Sequence, residues 1–399
     1  MDTILSERRR LGPLQCFTIE APSLVAAHRE LGAILARPAR AAIHARLATT
    51  RPEDLTSRLR AARASRAFME ARAADPRVPV EVRRAVGDYL ACLDAWAHAA
   101  GAGEWLSHPL VIDGRRASAE DLALWAQDDN TGCQTGMLRQ ADGSVLLWHT
   151  EEDRLGLLDE PRLATFVVGG ERLSAFLYPY LLPGPAFGFR EDQVHAVDSL
   201  VLKRGLAPRG AFTSVASWLI WRLGSAVPAR ETLRALTPYL DGCAINVARP
   251  SGSGVLVETH EIGGRHVQSH VLGPRPGAFS VQANAVRERG SRLAEHEDLS
   301  ARRRAVYDQR IARVSRALAN RLGAEGEPGP EHVLSLLANR RGGSYAFANL
   351  TVKAHAVARV SPDGFEIHIR SGAAHPDDVY HPAWRSRGST DVEAWRPAA

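Results

Sequence analysis

The chain has 399 residues, 45% of them hydrophobic and 24% charged, so it can bury a large core and is not a disordered tail. Its 50 basic and 45 acidic residues leave a formal charge of only +5, and Lys203 and Lys353 are the only lysines. The alkaline balance reflects arginine's high pKa rather than a concentrated positive surface, and no nucleic-acid partner is implied.

The opening, MDTILSERRRLGPLQCFTIE, carries charges where a signal peptide needs an apolar run. No segment approaches the ~20 apolar residues of a membrane span, and the chain reads as a cytoplasmic protein with no membrane partner. Cys16, Cys92, Cys133 and Cys243 stand singly, with neither a CxxC zinc pair nor a disulfide framework.

In chain order, Ser23 to Gln127 reads as helical. Leu24, Ala27, Leu31, Ile34 and Leu35 recur at helical spacing before Pro38, and Val82, Val86, Tyr89, Leu90, Leu93 and Trp96 do so before Gly101 and Gly103. After Thr131 the period falls to about two, and Asp142-Gly143, Gly169-Gly170, Gly263-Gly264 and Asp363-Gly364 predict hairpin turns. Helices are expected over Ala216 to Arg222, Arg230 to Tyr239 and Ser300 to Leu322. In the last, Tyr307, Ile311, Val314, Leu318 and Leu322 form one stripe that ends at Gly323. Gly326 to Pro330 reads as an exposed loop and the stretch after Pro376 as a tail. Antiparallel strands enclosing helices predict an α+β class.

The helical part gives way to the first strand at Asn130-Thr131-Gly132-Cys133-Gln134-Thr135-Gly136. A cysteine between glycines at such a boundary is either an exposed thiol or a small buried hydrophobe, and this window alone does not separate the two.

The stretch GCQTGMLRQADGSVLLWHTEED resembles the start of the mature catalytic chain in the family of acyl-CoA:6-aminopenicillanate acyltransferase, carcinine hydrolase and β-alanyl-dopamine hydrolase. The resemblance continues through Leu182-Pro183-Gly184, Phe187-Gly188-Phe189 and Gly205 to Gly210, then through Asp241 to Asn246 and Val281-Gln282-Ala283-Asn284. It covers most of residues 131 to 375. It implies an N-terminal nucleophile hydrolase, an αββα sandwich made as a precursor that cuts itself between Gly132 and Cys133. The expected pieces are a helical light chain, 1–132, and a catalytic heavy chain, 133–375, followed by a tail, 376–399; the two chains are each other's partners, with room for a homodimer.

On that resemblance Cys133 is the nucleophile. Its newly freed α-amine, with an ordinary pKa of ~7.7 to 8.0 against ~8.5 for the thiol, is its base. Gly132 suits the preceding position, because a residue without Cβ lets the thiol reach its carbonyl. Asn284 matches the family's oxyanion asparagine. Glu151 matches the acid that holds the nucleophile's amine, with Glu152 the alternative, because a shift of one residue exchanges strand faces. Two positions depart from the family: Thr150, where many members have Asn, and Arg190, where Asn is usual. Arg190 could hold a substrate carboxylate or be a surface residue beside Glu191 and Asp192. Tyr178 and Tyr180 are candidates for the acyl pocket, or core residues.

His260, His266 and His270 lack the spacing of HExxH, and the glycine pair beside them predicts a hairpin with solvent-facing imidazoles, so no metal is expected. Phosphate-loop, dinucleotide and serine-elbow motifs are absent, and no cofactor is called for. The expected activity is hydrolysis of a small N-acyl amide, with β-alanyl amides as candidates, through a thioester on Cys133. The alternatives are an acyltransferase of secondary metabolism using the same thioester, and a catalytically silent binding protein of the same fold.

Overall fold

The computed structural model describes residues 4–11, 14–106, 110–127, 133–152, 162–203, 206–324, 326–338 and 352–371; the tail expected after Pro376 lies outside them. The protein is of the α+β class. Strands β1 (Leu5–Leu11) and β2 (Leu14–Glu20) precede helices α1 (Leu24–Ala48), α2 (Pro52–Ala74) and α3 (Val80–Ala99). A two-residue ladder, β3 (Val111–Ile112) with β4 (Arg115–Arg116), leads to α4 (Ala119–Ala126). Six strands follow: β5 (Gln134–Arg139), β6 (Val145–Glu152), β7 (Arg162–Val168), β8 (Glu171–Leu177), β9 (Phe187–Arg190) and β10 (Gln193–Ser199). Helices α5 (Thr213–Leu223) and α6 (Ala229–Ala235) come before β11 (Tyr239–Pro250), β12 (Val255–Gly264), β13 (His266–Val271) and β14 (Phe279–Gln282). The chain continues through α7 (Ala301–Ala324), α8 (Pro330–Leu337), β15 (Val352–Ser361) and β16 (Gly364–Ser371).

Two large sheets result, one ordered β1-β2-β7-β8-β9-β10-β11-β12-β13 and the other β14-β5-β6-β15-β16. All pairings are antiparallel except β2 with β7. The four glycine turns read from the sequence each close a hairpin, β5–β6, β7–β8, β12–β13 and β15–β16.

Three apolar cores stack these elements into layers. On one face of the nine-stranded sheet, Phe17, Phe166, Leu173 and Ile245 join Leu31, Tyr89, Trp96 and Trp218 from the helices α1, α3 and α5. Between the sheets, Phe176, Phe187, Val194 and Val257 meet Met137, Leu147, Ala356 and Ile367. Beyond the five-stranded sheet, Leu138, Leu146 and Trp148 pack on Val314 and Leu318 of α7 and on Val333 and Leu337 of α8. The order is helices, sheet, sheet, helices, which buries both faces of the central strands and explains why β5 and β6 are buried at every residue.

Several sequence expectations need correction. The segment before residue 132 is not all helical: β1 and β2 extend the nine-stranded sheet, and β2 pairs with β7 from Gln15↔Arg162 to Glu20↔Val167. β1 carries no apolar alternation to mark it, since Leu5, Ser6, Glu7 and Arg8 are all exposed. Helix α1 does not stop at Pro38. Proline there removes one N–H, but Ala39, Ala42 and Ile43 continue the buried stripe, and their packing outweighs the lost hydrogen bond. Helix α6 ends at Ala235 rather than Tyr239, because Thr237 precedes Pro238 and is pushed out of the helical region, so Tyr239 opens β11.

Candidate functional site

Strand alternation places the polar side chains before any contact is measured. In β6, Val145 and Leu147 face the inter-sheet core while Leu146 and Trp148 face α7 and α8. His149 and Glu151 therefore point between the sheets, and Thr150 and Glu152 point outward. Met137 fixes the same inward parity for Thr135 and Cys133, Ala196 for Asp198, Ala248 for Asn246, and Val257 for Thr259 and Glu261. A polar end of the inter-sheet layer is thus built from both sheets.

Hydrogen bonds tie this end together. Asn246 Nδ2 donates to Thr135 Oγ1 at 3.0 Å across the sheets, and Thr259 Oγ1 donates to Asn246 Oδ1 at 2.6 Å. Gln282 Nε2 donates to Glu261 Oε1 at 2.8 Å, as does the backbone N–H of Arg287 at 2.7 Å. Neither Asn246 nor Gln282 was singled out as a candidate from sequence, yet the inward parity of β11 and β14 could have marked both.

Cys133 lies immediately before β5, with 5% of its surface exposed. Its Sγ donates to Glu151 Oε1 at 3.8 Å, and Glu151 Oε2 is 2.7 Å from His149 Nε2. Burial pushes the thiol pKa well above its ordinary range; Glu151 and Asp198 add to this, and the Glu152 backbone opposes it. The thiol is accordingly protonated at rest and must lose its proton as it attacks. Burial pulls His149 down to about 3, so this imidazole is neutral. The structure separates the two glutamates offered by the sequence. Glu152 lies on the outward face, 3.4 Å from Arg310 NH1 of α7 and accepting from Gln134 Nε2 at 3.4 Å. Burial still raises its pKa, with Arg310 opposing.

Asn284 adopts φ 55°, a left-handed conformation that asparagine tolerates better than most residues. Its Nδ2 donates to Asp198 Oδ1 at 2.9 Å and to the Ser199 carbonyl at 3.0 Å, and its backbone N–H donates to Asp198 Oδ2 at 2.7 Å. Asp198 is fully buried and its pKa is raised well above the usual carboxylate range by burial, with the Asn284 N–H opposing.

The three candidates for the substrate pocket, each also readable as a core or surface residue, do not join the Cys133 cluster. Tyr178 and Tyr180 belong to the helix-facing core, with ring centroids 6.1 Å apart, and Arg46 lies 5.9 Å over the Tyr180 ring. Arg190 donates from NH1 to the Arg222 carbonyl at 2.6 Å and forms ion pairs with Asp192 at 2.7 Å and Glu171 at 4.0 Å, so its charge is already matched within the protein. Phe189, not Arg190, carries the inward parity of β9. Gly132 lies outside the described residues.

The histidines of the β12–β13 hairpin divide. His260 is buried rather than solvent-facing, with Nδ1 2.9 Å from Ser269 Oγ, because even positions of β12 face the helical side at that end. His266 stacks on His296 at 5.6 Å between ring centroids. Among the described residues, the one group of metal-ligating side chains close enough to share an ion is Cys133, His149 and Glu151. No helix among them is long and apolar enough to cross a membrane. No protein-family model matches the chain, and no curated protein matches it either.

Proposed function

We propose that this chain is a self-processing cysteine N-terminal nucleophile amidohydrolase with an αββα sandwich, cleaving a small N-acyl amide, with β-alanyl amides as candidates. The observation that carries this reading is the pairing of Cys133 Sγ with Glu151 Oε1 at 3.8 Å, at the head of the first strand of an inner sheet and facing a second sheet.

In the precursor, Glu151 takes the thiol proton as sulfur attacks the carbonyl of residue 132 and hands it to the Cys133 nitrogen as the S–C bond forms and the peptide C–N bond breaks. Water then releases the new α-carboxyl from sulfur, leaving a free amine on Cys133. In turnover that amine accepts the thiol proton and passes it to the departing amine of the substrate, and water resolves the thioester. Asp198 orients Asn284, whose Nδ2 serves the oxyanion by exchanging its bond to the Ser199 carbonyl for one to the substrate oxygen. Tyr178, Tyr180 and Arg190 are left outside the pocket in this reading.

Intact-mass measurement of folded protein tests it. The expected result is two pieces divided before Cys133, which stay associated because β2 pairs with β7 and α1 shares a core with α5. Cys133→Ala remains whole. The same material releases amine from members of a panel of N-acyl and β-alanyl amides. A single unbroken chain without turnover overturns the proposal.

A further inference from the structure

The geometry points to a binding site for a zinc-class divalent ion formed by Cys133, His149 and Glu151, a site at which the bound ion silences the thiol. One donor atom from each of the three lies within 4.8 Å of the others, and all three residues are buried. A thiol, an imidazole and a carboxylate are the donor types of zinc sites, whereas calcium and magnesium avoid sulfur. Zinc sits about 2.3 Å from sulfur and about 2.0–2.2 Å from nitrogen or oxygen, so two donors on one ion stand within about 4 Å of each other. The 3.8 Å between Cys133 Sγ and Glu151 Oε1 already meets that span.

A second observation comes from His149 itself. The residue is fully buried, Nε2 faces Glu151 at 2.7 Å, and Nδ1 has no hydrogen-bond partner. Nε2, the nitrogen that faces Glu151, is the one placed to ligate an ion that Glu151 also holds, with the ring proton on Nδ1. On binding, the S–H bond breaks, its proton goes to solvent and the sulfur–metal bond forms. Three protein ligands leave a fourth position for water. With its lone pair donated to the ion, the sulfur no longer attacks a carbonyl. Metal binding stands independently of the amidase reading; only its inhibitory consequence rests on it.

Cobalt(II) is the probe, added to the purified full chain in whichever covalent state it is obtained. The expected result is one equivalent bound with a sulfur-to-cobalt charge-transfer absorption that zinc displaces. Cys133→Ser and Cys133→Ala abolish the band, Cys16→Ala keeps it, and His149→Gln and Glu151→Gln each weaken binding by at least about tenfold, since even losing an outer partner of a ligand costs that much. Thermal melting establishes that each variant is folded, and the glutamine variants carry the test if a Cys133 variant is not. A chain that binds no cobalt, a band that survives in Cys133→Ser, or glutamine variants that bind as tightly as the parent overturns the site. If metal binds but leaves self-cleavage and amide turnover unaffected, the silencing is overturned. An absent metal site leaves the amidase reading standing, because the mass and turnover measurements do not depend on it.

Discussion

Asp198 grips Asn284 at both ends, taking its backbone N–H at 2.7 Å and its side-chain Nδ2 at 2.9 Å while the residue holds φ 55°. The two requirements come apart by substitution. Asn284→Gly removes the side-chain donor but accepts the left-handed backbone, whereas Asn284→Ala removes the donor and adds strain of about 1 kcal/mol. If Nδ2 serves an oxyanion, both variants lose turnover by about 10²- to 10³-fold, and only their stabilities differ. Urea unfolding beside amide turnover checks this. Turnover that follows stability, with the glycine variant largely active, removes Asn284 from the chemistry.

Glu151 and Glu152 are neighbours in sequence and face opposite ways, so their variants separate function from stability. Glu151→Gln keeps the shape and loses the carboxylate beside Cys133; general acid–base groups typically contribute 10²- to 10⁴-fold, so self-cleavage slows by about that factor. Glu152→Ala instead strands Arg310, a buried guanidinium 3.4 Å away, at a cost of about 3–5 kcal/mol. Time courses of cleavage and melting temperatures read the two effects. Equal effects on cleavage from the two variants, at equal stability, contradict the assignment.

The sequence made legible what is periodic and local. The four glycine hairpins and the stripe of α7 follow from alternation and turn chemistry, whereas the partnership of Cys133 with Glu151 was an expectation from the family resemblance. Non-local features were not legible. The pairing of β2 with β7 joins positions about 150 residues apart, and no local pattern names that partner. Arg190 illustrates the same limit: its neighbours Glu191 and Asp192 suggested a surface role, but the Arg222 carbonyl that occupies its NH1 comes from the end of α5. Parity was the unused signal. It puts His149, Asp198 and Asn246 on the same inter-sheet layer as Cys133, and it needs only the apolar neighbours Leu147, Ala196 and Ala248 to be read as core.

Gly136 lies one residue beyond Thr135 on β5, where an added Cβ would stand 2.2 Å from Trp148 Cζ2 and 2.6 Å from the Ser280 carbonyl. The tryptophan is packed against α7 and α8 and the carbonyl belongs to the ladder with β14, so neither yields easily. Gly136→Ala is expected to cost about 1–3 kcal/mol, the usual range for overpacking. Because β5 and β14 must part to admit the methyl group, self-cleavage should slow as well. Denaturant midpoints measure the first effect and cleavage time courses the second. An alanine variant as stable as the parent shows that the strand interface is looser than the contact distances imply.

Three of the buried histidines give the protein an acid-labile component whose sign is fixed. Burial holds His28 at about 4, His149 at about 3 and His195 at about 4, against an ordinary value of 6.5. Each is neutral in the fold and free to take a proton once unfolded, so its stabilising contribution is complete above pH 6.5 and falls as pH drops toward the folded value. The loss approaches about 1.4 kcal/mol per pH unit for each histidine inside that window. The buried carboxyls Asp198, Glu152 and Glu261 act in the opposite direction, since their raised values favour the fold at low pH and weaken it as pH rises. The parent profile is therefore a sum, and a difference isolates one group. His195 is the choice, because its Nε2 lies 2.9 Å from the Gly184 carbonyl, a bond that an amide N–H can replace, and it lies outside the Cys133 pairings. The stability advantage of the parent over His195→Gln, measured by urea unfolding, should shrink by about 1.4 kcal/mol per unit between pH 6 and pH 4.5. A difference that stays constant across that range means the imidazole is protonated in the folded protein, and the burial argument for this residue fails.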